Sequence, residues 1–346
     1  MVTLIQSTLT YMIPLMIVAL AGVFAERSGI INIALDGMMI IGAFVGALFV
    51  YILQDKQFGI HLIIANGQGQ WVFLIAMLLA AIAGAVFSLL LSFSAIKLKA
   101  DQTIGGTALN MLAPAISLFL INMIASRPYL AADLPPWLGE GPSPYQSGTT
   151  SWFIIQNEHL KGTILEPFFS KMYISTYITI VLFVVLSVVL YKTSFGLRLR
   201  ACGEHPQAAD SVGINVNRMR YVGTLISGAL GGFGGFLYVV YSANGAAGGD
   251  VQGAGFLALA IMIFGNWKPK GIALGSLLFG LLKCISVLYN QLDINGDGVA
   301  LLANIGLPSY FYNILPFLAV LIVLAFTGKK SRAPKAEGIP YDKGMR

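Results

Sequence analysis

The chain has 346 residues, of which 57% are hydrophobic and only 10% charged, with a mean hydropathy of +0.78. A soluble globular domain carries about 25% charged residues, so a soluble fold is excluded, and long unalternating apolar runs exclude a transmembrane barrel. The net charge of +6 and pI near 9.2 do not signal nucleic acid: the basic residues gather at the ends of apolar runs and in the tail, as the positive-inside bias of membrane proteins requires.

A membrane span needs about 20 apolar residues. In chain order, the segments that qualify are Leu4–Phe24, Ile30–Leu53, Trp71–Ile96, Ile104–Ala125, Ile174–Tyr191, Tyr221–Tyr241, Gly253–Trp267, Gly271–Tyr289 and Tyr310–Phe326. The first has no basic region before it, which fits a retained span rather than a cleaved signal. The predicted fold is all-α: a polytopic transmembrane helical bundle of about nine spans, or ten with a broken or re-entrant segment. Residues 1–328 form the transmembrane domain and 329–346 a cytoplasmic basic tail.

Arg27, Lys97, Lys99, the stretch Lys192–Arg220, Lys268, Lys270 and the tail fall on one side if every segment spans. That side is the cytoplasm. The largest outer loop, Arg127–Lys171, carries five prolines with Trp137 and Trp152. It suits either docking of an external partner or anchoring at the membrane surface.

No GxxxxGK[ST] occurs, so the chain does not cradle ATP itself. No HExxH, paired-cysteine or Ser-His-Asp arrangement occurs either, and His61, His159 and His205 fall in predicted loops. These features argue against an enzyme. Cys202 and Cys284 lack metal spacing and read as free thiols. Asp293-Ile-Asn-Gly-Asp-Gly298 copies the start of a calcium loop, but Asn304 stands where the bidentate Glu belongs, so a polar outer turn is the better reading.

Gly228, Gly231, Gly232, Gly234 and Gly235 share one span, and Gly42/Gly46 and Gly271/Gly275 repeat the four-residue spacing. Small residues let membrane helices approach closely; tight packing is favoured over helix sliding, which the sequence does not separate from it. Polar groups at membrane depth are costly and face a pathway or a partner helix. Asn32, Asp36, Gln102, Thr107 and Asn110 are such groups. For Asn110, interhelical hydrogen bonding and pathway lining stand level. For Asp36, helix-end capping or pairing with Arg27 is favoured over solute contact.

Three stretches together carry a resemblance: Glu26-Arg-Ser-Gly-Ile-Ile-Asn-Ile-Ala-Leu-Asp-Gly-Met-Met39; Ala100-Asp-Gln-Thr-Ile-Gly-Gly-Thr-Ala-Leu-Asn110; and Gly196-Leu-Arg-Leu-Arg-Ala-Cys-Gly-Glu-His-Pro-Gln-Ala-Ala-Asp210 with Gly213-Ile-Asn. Gly255–Pro269 and Leu278-Phe-Gly280 fit the same pattern. The chain resembles the permease subunits of bacterial ABC importers in the branch serving simple sugars, branched-chain amino acids and nucleosides, and most closely the nucleoside (basic membrane protein) type.

The resemblance implies a multi-pass cell-membrane protein that binds no cofactor itself. It implies two ATPase subunits that use ATP and Mg, a second permease (a sister chain, or a copy of itself) and an extracytoplasmic substrate-binding lipoprotein. It also assigns Glu204, His205, Pro206, Gln207, Ala208, Ala209, Asp210 and Gly213 to a short coupling helix. Independently, Pro206 suits a first helical turn and Gly213 a stop. Nucleoside is the first expectation for the solute, ahead of a simple sugar and a branched-chain amino acid. An ion-coupled secondary transporter is the rival, and the spans hold few of the central carboxylates it would need.

Overall fold

The structure is a computed structural model that describes residues 2–54, 69–125, 129–131, 154–155, 172–242, 246–290, 308–327 and 333–343. Most of the outer loop Arg127–Lys171 and the calcium-loop-like turn at Asp293 lie outside the described residues.

The helices are α1 (Val2–Glu26), α2 (Leu35–Gln54), α3 (Gly69–Ile96), α4 (Gln102–Ala125), α5 (Ile174–Lys192), α6 (Ser194–Glu204), α7 (Pro206–Ser211), α8 (Val216–Ser242), α9 (Ala254–Phe264), α10 (Pro269–Leu288) and α11 (Ser309–Thr327). Among the described residues, seven are long and apolar enough to cross a membrane: α1–α5, α8 and α10. The protein is a polytopic all-α membrane protein. Four two-residue strands pair as β1 (Leu130–Ala131) with β4 (Ala246–Ala247) and β2 (Ile154–Ile155) with β3 (Met172–Tyr173), all antiparallel. The first pair ties the chain leaving α4 to the chain leaving α8.

Helix starts follow local chemistry. Asp101 Oδ1 accepts from the backbone of Thr103 and Ile104 to cap α4, Thr193 caps α6, and Asn215 Oδ1 accepts from Arg218 N at the head of α8; each satisfies orphan first-turn donors. Pro206 and Pro269 occupy the first helical positions of α7 and α10, where a missing N–H costs nothing.

The core lies around α1 and α8. In α1, 89% of the most apolar stretch is buried, against 22% in α4, so α4 is peripheral and α1 enclosed. The α8 glycines face three neighbours at once. A Cβ on Gly232 would stand 2.2 Å from Ala80 O of α3, one on Gly235 2.1 Å from Met39 O of α2, and one on Gly234 2.4 Å from Val18 of α1. Gly42 meets Gly232 itself. Backbone-to-backbone seams of this kind hold membrane helices together by dispersion, because lipid supplies no hydrophobic drive between them. The glycine run is packing.

Two expectations change. The basic stretch Lys192–Arg220 holds more helix than the short one expected within Glu204–Gly213: it folds into α6, α7 and the first turn of α8. And Gly253–Trp267 is not a full span. Its helix, α9, has 11 residues, about 16 Å of rise against a hydrocarbon core of about 30 Å. Among the described residues, 246–253 before it are not helical.

Candidate functional site

At the basic end, α6 and α7 form a compact hairpin. Gly196 lies against the carbonyls of Val189 and Leu190, and Gly203 against the backbone of Arg27, each too close for a side chain. Arg27 Nη1 pairs with Glu204 Oε1 at 3.1 Å. This is the partner Arg27 takes, so of the two roles offered for Asp36 the pairing with Arg27 is not the one seen. Beneath α7, Pro206 and Ala209 turn inward, Ala209 into a small core with Cys202 and Val216. Gln207, Ala208 and His205 are exposed, and Asp210 half-buried. Burial raises the Cys202 thiol to about 11, which leaves it protonated and inert. Gly213 ends the turn at φ +83°, and a Cβ there would meet no atom within 4 Å, so backbone conformation alone requires glycine at this position.

Four of the five expected polar residues gather around residues 27–34, a non-helical break between α1 and α2. Gln102 Oε1 accepts from Ile31 N at 2.8 Å. Asn110 Nδ2 donates to Ile33 O at 2.9 Å while its Oδ1 accepts from Gly37 N at 2.8 Å. Asn32 Nδ2 donates to Ser227 Oγ of α8 at 2.7 Å. The Gln102 and Asn110 amides supply the partners that a broken backbone loses at membrane depth, while Asn32 ties the break to α8 through a side chain. Asn32 Oδ1 and Gln102 Nε2 have no partner among the described residues. Thr107 stands apart on the exposed face of α4, its hydroxyl donating to Thr103 O and Ile104 O.

Asp36 caps a helix, though not its own. Its Oδ1 accepts from Gly255 N at 2.8 Å, at the head of α9, where the cap position is Gly253 with no side chain to offer. A carboxylate from α2 therefore meets the positive end of α9. The other end of α9 is fixed by Trp267 Nε1 donating to Glu26 Oε2 at 2.5 Å.

Around the head of α9 lie residues that span-by-span reading missed. Gln252 has φ +51°, Gly249 and Gly253 are also left-handed, and Asp250 and Gln252 are exposed. Lys283 Nζ donates to Gln252 Oε1 at 2.9 Å, and Tyr238 OH approaches the same oxygen at 3.4 Å. The available signal was a single lysine inside an apolar run, LLKCIS.

The segment 333–343 is not a free tail. Ala336 N donates to Gly203 O at 2.9 Å and Gly338 N to Gly29 O at 3.2 Å. Arg220, 1% exposed, donates to Ile339 O at 3.0 Å, and Lys99 pairs with Asp342 at 2.6 Å. The segment thereby touches the hairpin, the α1–α2 break, α8 and the α3–α4 turn together.

Comparison with known proteins bears on the whole chain. The sequence profile of the family described as "Branched-chain amino acid transport system / permease component" matches residues 4–325. The guanosine ABC transporter permease protein NupQ of Bacillus subtilis is 38% identical over 99% of this chain and 97% of its own. The nucleoside ABC transporter permease protein NupC of Lactococcus lactis is 36% identical over 98% and 96%, and a second Lactococcus lactis protein, the nucleoside ABC transporter permease protein NupB, is 24% identical over 99% and 86%. No solved structure matches the chain.

Proposed function

This chain belongs to the family of permease components of branched-chain amino acid transport systems, and we propose that it is the pore-forming permease subunit of an ATP-driven ABC importer that carries a nucleoside across the cell membrane. The observation that carries the solute is near full-length similarity to two permeases named for guanosine and nucleoside transport. Two such permeases in Lactococcus lactis, one much closer to this chain than the other, support pairing with a sister permease rather than with itself. Two cytoplasmic ATPase subunits, which bind the ATP and Mg, and an external substrate-binding lipoprotein complete the machine.

The geometry supports a mechanical route for coupling. The ATPases grip the exposed face of Glu204–Gly213. A displacement of α7 passes through α6 to Arg27, by the Arg27–Glu204 pair and the close approach of Gly203. Arg27 opens the α1–α2 break, and Asp36, just past its far end, holds the head of α9. Motion at the cytoplasmic hairpin thus reaches the half-length helix through a buried, hydrogen-bonded segment that has little slack. Alternating access follows if α9 and its neighbours rock when the hairpins are drawn together.

Reconstitution tests this. Proteoliposomes holding the complete importer should take up a nucleoside only with ATP and the ATPase subunits; uptake by this chain alone on an ion gradient would sink the proposal. In the same assay Gly213→Val, strained by its φ rather than by crowding, should leave ATP hydrolysis running while uptake falls.

A further inference from the structure

The break before α9 differs from an ordinary packing defect. Non-helical backbone at membrane depth is tolerated only where protein buries it or where it lines a watery cavity. Here Asp250 and Gln252 are exposed. Lys283 sits fourteen residues into α10, about 21 Å up its axis, within a hydrocarbon core of about 30 Å. A lysine at that depth is costly in lipid and marks a functional pathway or a buried partner. Its hydrogen-bonded partner is the neutral amide of Gln252, with the Asp250 carboxylate near enough to act on it electrostatically.

We infer that Asp250, Gln252 and Lys283 form a solute-contact station on the translocation path, which takes the hydroxyl-bearing sugar ring of a neutral nucleoside. This rests on the nucleoside reading above and adds to it a site in the permease itself. The chemistry fits. A carboxylate, an amide and an ammonium give acceptors and donors for a vicinal diol, and one positive and one negative charge make the station neutral, as an uncharged solute wants. Phe256, 48% exposed, offers an aromatic face within the first turn of α9, and Phe317 of α11 approaches Gly253. The left-handed backbone at Gly249, Gln252 and Gly253 turns the chain so that Gln252 stands outward. Tyr238, 4% exposed, backs the amide from α8.

The test uses the complete importer in proteoliposomes with ATP, and compares initial uptake of guanosine and 2′-deoxyguanosine. Gln252→Leu should lower guanosine uptake about five- to tenfold, the worth of one good hydrogen bond, and should move the guanosine to deoxyguanosine ratio toward one. Gln252→Glu should restore part of the discrimination. The assembled complex should still elute as one monodisperse peak, which separates a lost solute contact from lost assembly; the ratio of the two solutes is the readout that a merely structural loss of the Lys283 and Tyr238 bonds would not move. Lys283→Met should shift the ratio in the same direction. If both solutes fall equally, or neither changes in the Gln252 variants, the station is overturned whatever Lys283→Met does to folding. If the unaltered importer takes up no nucleoside, the nucleoside reading fails first and is seen to fail before any variant is made.

Discussion

The two interruptions of the helical bundle make opposite use of similar backbone. Residues 27–34 are enclosed: amides from α4 meet backbone donors and acceptors of the break, the Ser227 hydroxyl of α8 accepts from Asn32 Nδ2, Arg220 covers Gly29, and segment 333–343 closes over the outside. The stretch before α9 is open, with left-handed backbone and charged side chains at its surface. A broken helix in a membrane does not by itself mark a pathway. What separates the two is whether side chains fill the gap or leave it accessible. Asp36 joins them, since it belongs to the α2 turn that ends the closed break and caps the helix that begins at the open one.

The contrast can be broken most forcefully at Gly29. It has φ +98°, and a Cβ there would stand 2.8 Å from Arg220 Nη2. Gly29→Val should abolish folded protein in detergent, read as loss of the monodisperse peak in size-exclusion chromatography. A folded, active Gly29→Val would mean that the closed break is looser than its contacts imply. Next is Asn110→Leu, which strips partners from Ile33 O and Gly37 N together. Each buried orphan costs about 1–3 kcal/mol, so the melting temperature should drop clearly. Asn110→Asp keeps the acceptor for Gly37 N and should fall less. Solute discrimination in the surviving protein should stay unchanged; a shifted guanosine ratio would instead make Asn110 a lining residue.

The smallest effect concerns the cover. Burial, the leading cause, lifts the Glu337 carboxyl to about 7, opposed by its hydrogen bond with Glu26 and by Arg27. A raised carboxyl value means that the docked state favours the proton. Docking is therefore strongest below the ordinary carboxylate range and weakens as pH rises to about 7. Amide exchange in residues 333–343 should speed up, relative to its intrinsic rate, between about pH 5 and about pH 7.5, and Glu337→Gln should flatten that trend. Equal protection across the range would remove the carboxyl from the account.

The spans were legible because hydropathy reports removal from water, whether into lipid or into the bundle, and Leu35–Gln54 or Val216–Ser242 need no tertiary information. Pro206 and Gly213 marked the ends of α7 for an equally local reason. The hairpin partner α6 was overlooked although its buried Gly196, Leu199 and Gly203 repeat at helical spacing; its arginines disguised it as a connector. The start of α9 was legible, since the expected segment begins at Gly253, the cap position of the helix; its short length and its acidic cap were not. Hydropathy runs unbroken through Gly253–Trp267, and the helix start is capped by Asp36, 219 positions away. Of the two roles offered for Asp36, capping is the one seen, and Arg27 pairs instead with Glu204, which reaches it only once α6 folds back on α1. Asn110, undecided between bonding and lining, bonds the closed break in this structure, and the ratio test above decides whether it also meets solute.

Arg220 bears on how the protein is made. Its guanidinium is 1% exposed, bonds to Ile339 O, and has Nε and Nη2 without partners among the described residues. Residue 339 is translated after all seven of the long apolar helices, so α8 enters the bilayer well before its buried cation gains that carbonyl. Until then the charge is under-compensated, and the basic end of the bundle stays unfinished. Chain order alone makes this contact a late one: the carbonyl that meets Arg220 lies 119 positions beyond it.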